Sequence, residues 1–349
     1  MTTPPIYELI PELKDYDKYV KQDLKVAVIG FGKMGVLHSV ILNLLKPLLV
    51  KMIADKNHLT IIGFSKLIRN IRFYRDANKM LEKEEPDVCY VTTPVVSHYP
   101  IISNLLEVGI KHIFVEKPPT LNLTQLDALL DKVSANHVIM IGLQKRYALP
   151  FRHAKMLLSK NNLGDIKRVS AYIKSSDIMT PTDRFKRIGR GVLLDLGIHL
   201  VDLLQWLVGL ESVKEATYEK KYTNVDDYFK AILKTTHDVD VNIKVTWSDP
   251  SYRLPETYIE IHGTNGMLKV TEDYLKVKVK DGENLVMFKP HYYQGVPPVN
   301  LADPEFTLEN IHFLYSIYKS KQPLTNLKNV RRTMELIDEL YAEAGMNRG

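Results

Sequence analysis

The chain has 349 residues, of which 45% are hydrophobic and 25% charged, with a formal net charge of +6 and a pI near 9.0. This length exceeds what one hydrophobic core usually supports, so we expect roughly two domains of an ordinary globular protein. The positive residues are dispersed among 41 acidic ones without an arginine-rich tail. That distribution argues against nucleic acid as a partner and favours a small acidic substrate.

The single cysteine, Cys89, lies in the apolar run 88–91, where a small buried side chain is more common than a nucleophile. With one cysteine, no intramolecular disulfide can form. The N-terminus has no apolar signal-peptide core, and the most apolar stretch, 36–54, is interrupted by two lysines and a proline. We therefore expect a cytoplasmic protein without membrane partners.

The most specific motif follows a polar segment, 1–23, which we expect to be an N-terminal extension with room for one short helix and no assigned function. From Lys25 a β-branched run leads into a Gly-x-Gly-x-x-Gly turn that opens a helix, the arrangement that binds dinucleotides. Gly30 permits the tight turn, Gly32 lets the backbone approach a pyrophosphate, and Gly35 lets helix and strand pack closely. The residues predicted to contact the cofactor here are Gly30, Phe31, Gly32, Lys33, Met34 and Gly35. The alternative is an ordinary βαβ unit whose glycines only make the turn.

An acidic residue ends the second predicted strand. Asp55 stands 20 residues after Gly35, where a carboxylate accepts hydrogen bonds from the adenosine ribose and repels a 2′-phosphate. The sequence therefore favours NAD over NADP. Lys56 leaves NADP open, because a neighbouring cation could partly accept the phosphate.

Strands and helices alternate from residue 24, which predicts a parallel sheet with helices on both faces. The predicted strands are Lys25–Ile29, Val50–Ala54, Val88–Thr92, His112–Val115 and Val138–Gly142. Helices are expected over 34–45 and 77–85, and Thr124 is the expected N-cap of a later helix.

Strand-like segments with short connections dominate after about Pro150, which predicts a largely antiparallel sheet. They are Lys167–Lys174, Lys214–Tyr222, Tyr228–Thr235, Val239–Trp247, Glu256–His262 and Met267–Thr271. A helix over 326–344 closes the chain.

Polar motifs follow two of the parallel strands. Since ligands bind beyond the carboxyl ends of such strands, both motifs should border the cofactor crevice. The residues predicted to contact the cofactor there are Thr92, Thr93, Pro94, His98 and Glu116. Lys117 is a candidate for polarising a substrate oxygen beside the nicotinamide, although taken alone it could equally be a surface lysine opening a loop.

A third motif, 191–202, contains Asp195 and His199. In a helix these two side chains share one face and leucines cover the other. A histidine of near-neutral pKa beside a carboxylate is a fitting general base for a hydroxyl proton. For an isolated pair, an exposed Asp–His contact without a role is the commoner alternative.

Together the three motifs resemble the Gfo/Idh/MocA family of sugar and polyol oxidoreductases, over nearly the whole chain after Leu24. Trp247 and the segment 261–266 add to the resemblance. It implies an α/β fold in which a Rossmann domain with a doubly wound parallel sheet precedes an α/β domain with an open, mainly antiparallel sheet. That sheet often supports dimers or tetramers, so we expect a homodimer or homotetramer. We divide the chain into the extension, an NAD(P)-binding domain (24–148) and a substrate-binding and oligomerisation domain (149–349).

The resemblance also implies an activity, which is hydride transfer between nicotinamide C4 and a secondary alcohol or carbonyl carbon of a sugar, cyclitol or similar molecule. Lys117 would bind the reacting oxygen, His199 would take or return its proton, and Asp195 would bind substrate or orient the histidine. A cis Lys117–Pro118 bond is expected, and no metal. Alternatives are a glycoside hydrolase that reduces and reoxidises bound NAD within one cycle, a nicotinamide-binding sensor, and a reductase of linear tetrapyrroles.

Basic residues precede the third motif, and many relatives carry a glycine where Arg190 stands. The basic loop contains Arg184, Lys186, Arg187 and Arg190. These cations could pair with a substrate carboxylate or phosphate, or they could form a solvated basic loop. Arg146 and Tyr147, at the junction of the two domains, are further substrate candidates, and each could equally serve packing.

Overall fold

The computed structural model describes residues 6–20, 23–67, 70–177, 190–252, 254–280, 284–288 and 304–346. Within them the chain forms a parallel sheet and a mixed, mostly antiparallel sheet, so the predicted α/β class is confirmed. Among the same residues, no helix combines the length and the hydropathy needed to cross a lipid bilayer.

The N-terminal segment forms two short helices, α1 (Ile6–Leu9) and α2 (Tyr16–Val20), joined by a 3₁₀ turn, where the sequence left room for one helix. Tyr19 is buried. Glu12 is buried as well, because Arg152 and His312 lie against its carboxylate. These partners are more than a hundred residues away, so the polar composition of the segment concealed its attachment to the core.

Six parallel strands form the first sheet. They are β1 (Val26–Ile29), β2 (Val50–Ala54), β3 (Arg72–Tyr74), β4 (Val88–Val91), β5 (His112–Glu116) and β6 (Val138–Gly142). Their order is β3-β2-β1-β4-β5-β6, so the direction of winding reverses between β1 and β4, where ligands bind in such sheets. Five strands match the prediction to within one residue at each end. The three-residue, partly exposed β3 was not predicted because it is too short to show a pattern.

Helices connect these strands. They are α3 (Lys33–Leu45), α4 (His58–Leu67), α5 (Ala77–Glu84), α6 (His98–Glu107) and α7 (Leu123–Leu130). The expected cap of α7, Thr124, is wrong, because Thr124 lies inside the helix. Asn122 is the cap, and its side chain accepts a hydrogen bond from the Gln125 amide at 3.0 Å.

Eight strands form the second sheet. They are β7 (Ile166–Lys174), β8 (Leu210–Glu219), β9 (Tyr228–Thr235), β10 (Asp240–Thr246), β11 (Glu256–Gly263), β12 (Gly266–Val270), β13 (Tyr274–Val279) and β14 (Leu285–Phe288). The order is β14-β13-β12-β11-β7-β10-β9-β8, and only the β7–β10 pair is parallel. The prediction placed β8 three to four residues too far along the chain and missed β13 and β14.

The helices that follow residue 148 pack on both sheets. They are α8 (Leu149–Ser159), α9 (Ile198–Val208), α10 (Pro304–Lys319) and α11 (Leu327–Glu343). One face of the second sheet is covered by α8, α9 and α11, whereas α10 returns to pack on α3 and β6 of the first sheet. The C-terminal part of the chain therefore contributes to the core around the first sheet.

Candidate functional site

The glycine turn has the geometry that its sequence predicts. Gly30 has a φ of +93°, and a Cβ on Gly35 would lie 2.1 Å from the Gly30 carbonyl oxygen. A Cβ on Gly32 would meet nothing within 4 Å, so the backbone is open there to an approaching ligand. Lys33 begins α3 and is exposed, with the partly buried Met34 beside it. The turn therefore fits a dinucleotide, with the N-terminus of α3 available to a pyrophosphate.

Asp55 is fixed at the end of β2 by two backbone amides. Its Oδ2 accepts a hydrogen bond from the Phe31 amide at 2.5 Å and its Oδ1 from the Asn57 amide at 2.7 Å. Phe31 itself is buried and packs edge to face on Phe73. The carboxylate is thereby held beside the glycine turn, at the position where the sequence expects the adenosine ribose.

The loop after β4 is joined to both neighbouring loops. Thr92 donates from its hydroxyl to the Gly30 carbonyl at 2.5 Å, and Thr93 accepts from a serine hydroxyl, while Pro94 is exposed. The buried His98 places its ring nitrogens 2.8 Å from the Pro118 carbonyl and 2.7 Å from the Thr93 carbonyl. Burial lowers the pKa of His98. Both nitrogens lie against backbone, so His98 shapes the site by bridging two loops and offers no free nitrogen to a cofactor.

The loop after β5 presents Lys117. Glu116 accepts from the Lys117 amide at 3.2 Å and contacts His38 Nε2 at 2.9 Å, which orients the loop, and the Lys117–Pro118 bond is cis as expected. The ammonium donates to the carbonyl of Asp195 at 2.6 Å and to its Oδ1 at 2.9 Å. An ammonium has three N–H bonds. Among the described residues two of them are taken, which leaves one for a ligand.

Asp195 and His199 come from a helix that begins irregularly. Residues Leu193–Gly197 form a π-helical turn that continues into α9, where the sequence predicted a regular helix. Such turns recur at functional sites. The side chain of His199 is 4% exposed, and its Nδ1 has no hydrogen-bond partner among the described residues.

The electrostatic surroundings keep His199 neutral. Burial first, and then the charges of Lys117 and Lys145, hold the pKa of His199 well below its usual range. The near-neutral pKa assumed from sequence is therefore too high. At neutral pH the imidazole is unprotonated and can accept a proton.

Lys145 is the side chain that sequence reasoning missed. It lies in the 3₁₀ turn Gln144–Tyr147, is buried, and pairs with the buried Glu272 close to His199. The prediction chose Arg146 and Tyr147 from the same turn. Which of three consecutive side chains faces the site depends on the rotation of a short turn, for which the sequence carries no pattern.

The three predicted substrate contacts are engaged with the fold. Arg146 forms a buried two-point ion pair with an aspartate of α9, Tyr147 is buried with its hydroxyl 3.3 Å from a threonine hydroxyl, and Arg190 pairs with Asp338 at 2.6 Å. These contacts support the packing alternative for Arg146 and Tyr147. Arg190 is half-buried and paired, so it is not the solvated residue that its own alternative assumed. The other cations of the basic loop lie outside the described residues, namely Arg184, Lys186 and Arg187. Among described residues, no group of three or more His, Cys, Asp or Glu side chains could hold a metal ion.

Two sequence profiles define the class of this protein. Residues 24–143 match the oxidoreductase family with an NAD-binding Rossmann fold, and residues 151–269 match the GFO/IDH/MocA C-terminal domain. The protein is therefore an NAD-binding oxidoreductase. It belongs to the Gfo/Idh/MocA family, as the resemblance of its motifs implied.

Individual relatives are distant. Myo-inositol 2-dehydrogenase of Thermotoga maritima is 25% identical over 193 residues, which is 55% of this chain and 57% of that protein. D-apiose dehydrogenase of Paraburkholderia graminis is 24% identical over 288 residues, 78% of this chain and 75% of the relative. A levoglucosan dehydrogenase solved in complex with NADH and levoglucosan has the same fold, with a TM-score of 0.81, 20% identity, and coverage of 93% of this chain and 98% of that one.

Proposed function

We propose that this protein is an NAD-dependent dehydrogenase that transfers a hydride between nicotinamide and a secondary alcohol or carbonyl carbon of a sugar or cyclitol. The observation that carries the proposal is the meeting of Lys117, Asp195 and His199 at the carboxyl edge of the sheet that carries the glycine turn, although 78 residues separate the lysine from the aspartate. The relatives named as inositol, apiose and levoglucosan dehydrogenases support this substrate class.

Lys117 and His199 divide the proton chemistry. The remaining N–H of Lys117 donates to the reacting oxygen and stabilises negative charge on it as the hydroxyl proton leaves. His199, neutral because its pKa is lowered, takes that proton, and returns it when the carbonyl is reduced. Bound NAD supplies the hydride acceptor in the oxidation. Asp195 holds the ammonium in place through two contacts.

The cofactor contacts follow the same proposal. The six residues of the glycine turn would contact the pyrophosphate and neighbouring groups, Asp55 the adenosine ribose, and Thr92, Thr93 and Pro94 the crevice at the end of β4. Asp55 is held by two amides beside the turn, and we therefore propose NAD as the preferred cofactor. The repulsion between the Asp55 carboxylate and the 2′-phosphate of NADP would outweigh the attraction of that phosphate to Lys56.

A panel of substrates tests the activity. The purified protein is incubated with inositols, neutral sugars, uronic acids and nucleotide sugars, each with NAD or NADP, while the absorbance of reduced nicotinamide is recorded. A rise with a polyol and NAD supports the proposal. Glycoside cleavage without net reduction of the cofactor would instead identify the recycling hydrolase, and ligand binding without any reaction would identify a sensor.

We further propose that the protein assembles as a homodimer or homotetramer through the open face of the second sheet. Half-buried positions there mix aromatic and charged side chains, for example Tyr172, which stacks on Tyr258 at 5.0 Å, and Lys174 over the Tyr172 ring. A stable interface of this kind buries about 1,200 Å² or more. Light scattering coupled to size-exclusion chromatography tests it, and a monomer at micromolar concentration would contradict it.

We also propose that the chain divides into two domains at about residue 148 and that the protein is cytoplasmic. The boundary is supported by the two sheets and the two matched regions, with the return of α10 to the first sheet as a qualification. A single cysteine, which can form no intramolecular disulfide, is consistent with that location. Limited proteolysis tests the boundary, and fractionation of cells tests the location.

A further inference from the structure

The helix that carries Asp195 and His199 has no cap of its own. Its first residues leave backbone amides that no helical carbonyl can satisfy, and the residue before them, Gly191, has no side chain to accept from them. The first contact within the helix is the Asp195 amide with the Gly191 carbonyl at 3.1 Å. Three buried amides, those of residues 192 to 194, therefore need partners from elsewhere in the chain.

Two distant residues supply those partners. The Val192 amide donates to the Asp226 carbonyl at 2.8 Å, and the Leu193 amide donates to Asp226 Oδ2 at 2.9 Å. The Leu194 amide donates to the Tyr341 hydroxyl at 3.2 Å. That hydroxyl in turn donates to Asp226 Oδ1 at 3.3 Å. All three amides are thus satisfied by the loop between β8 and β9 and by α11.

Gly191 makes this arrangement possible. A Cβ at that position would lie 2.1 Å from Asp226 Oδ1 and 2.2 Å from the Asp226 carbonyl oxygen. The close approach of Asp226 therefore requires glycine there. A neighbouring contact supports Tyr341, since the guanidinium of Arg190 lies 5.0 Å over its ring while pairing with Asp338.

We propose that Asp226 and Tyr341 are positioning residues for hydride transfer, which fix the start of the catalytic helix so that Asp195 meets Lys117 and His199 meets the substrate hydroxyl. This inference rests on the proposed roles of Asp195 and His199. A shift of about 1 Å in such groups lowers turnover by up to about a hundredfold. The proposed contacts of the pyrophosphate and the adenosine ribose are with the glycine turn and Asp55, away from Asp226 and Tyr341, so we expect the affinity for the dinucleotide to change little.

The neighbouring residue provides a matched control. Asp227 is as fully buried as Asp226, but its carboxylate accepts from the amides of Tyr222 and Thr223 at 2.6 and 3.2 Å and does not contact the catalytic helix. Asp226→Asn and Asp227→Asn are therefore the same isosteric change at adjacent buried positions. In Asp226→Asn the new amide faces the Tyr341 hydroxyl, which can no longer donate there.

We expect Asp226→Asn to lower kcat about tenfold or more while the Kd for NADH stays within twofold. Asp227→Asn should lose a similar amount of thermal stability but lower kcat less than threefold.

The pH profile gives a second readout. Burial raises the pKa of Asp226 to about 6, and the titratable group that faces it is Tyr341, with Arg190 on the far side of the ring. Wild-type kcat should fall as the pH drops through about 6, and Asp226→Asn should lose that step.

Equal kcat values and pH profiles in the two asparagine variants would overturn the proposal. If Asp226→Asn does not fold, Tyr341→Phe carries the test, with Tyr19→Phe, a buried tyrosine that donates to the Glu12 carbonyl, as its control. The variant His199→Ala distinguishes failure of the positioning role of Asp226 and Tyr341 from failure of the proposed function. A His199→Ala enzyme of full turnover would remove the catalytic assignment itself, whereas an inactive one beside a fully active Asp226→Asn would remove only the positioning role.

Discussion

Two buried ion pairs of this protein differ in how many of their polar atoms have hydrogen-bond partners. Arg146 and Asp202 meet at two points, each of 2.6 Å, with side chains 5% and 1% exposed. Asp202 also accepts from the Thr333 hydroxyl, and Arg146 also donates to the Leu324 carbonyl. This first pair, between the turn after β6 and α9, is closed on all sides by the fold.

The pair of Lys117 and Asp195 is more open. Its side chains are 15% and 7% exposed, and the ammonium keeps one N–H that no described residue accepts. Beside it lies His199, whose buried Nδ1 has no described partner. A buried polar atom left unsatisfied costs about 1–3 kcal/mol. A ligand can complete such atoms, so the comparison separates a pair that the fold satisfies from the pair to which we assign the proposed catalytic role.

Replacing Lys117 should have the largest effect on turnover. We expect Lys117→Met to lower kcat by at least about a thousandfold, roughly 4 kcal/mol of barrier, because the reacting oxygen loses its charged donor. The NADH dissociation constant, measured by nicotinamide fluorescence, should stay within threefold, since the contacts proposed for the dinucleotide are mostly with the glycine turn and Asp55. A variant with turnover near that of the wild type would show that Lys117 has no part in the mechanism. The Lys117–Asp195 pair would then be structural, like the pair of Arg146 with Asp202.

Breaking the closed pair should act on stability instead. Asp202→Ala leaves the Arg146 guanidinium buried without its anion, and we expect a loss of about 3–4 kcal/mol in the free energy of unfolding. Urea titration followed by circular dichroism measures it. At a temperature where Asp202→Ala remains folded, its turnover per folded molecule should fall much less than that of Lys117→Met. A selective loss of substrate affinity would show that Arg146 has the substrate role predicted from sequence.

A third pair attaches the N-terminal segment and gives a pH test. Burial raises the pKa of Glu12, but Arg152 and His312 more than offset it and lower the pKa to about 2 from 4.5. Because the folded pKa is the lower one, the carboxylate stabilises the fold above pH 4.5 and this contribution is lost as the pH falls from 4.5 towards 2. We expect Glu12→Gln to cost roughly 2–3 kcal/mol at pH 7. Unfolding curves at pH 7, 4 and 3 measure it, and a deficit independent of pH would contradict this account.

The sequence predicts the parts of this molecule whose signals are local. Buried β-branched runs located five of the six strands of the first sheet, and the geometry of the glycine turn was correct because its steric demands fall within six residues. That Lys117 and Asp195 serve one site followed only from the resemblance of whole motifs, and their direct contact was not predicted, since no local pattern joins residues 78 apart. Contacts such as Asp226 with the start of the helix that carries His199, or Glu12 with Arg152, left no trace in spacing or composition.

The smallest effect is expected at Arg190, where the structure favours packing over substrate contact. Its guanidinium is committed to Asp338 and the Tyr341 ring, so Arg190→Ala should cost about 1 kcal/mol of stability. Steady-state kinetics with a uronic acid and a neutral sugar should give KM values within twofold of the wild type for both. A tenfold rise in KM for the uronic acid alone would mean that Arg190 leaves Asp338 and pairs with the substrate carboxylate, so that it takes part in substrate binding.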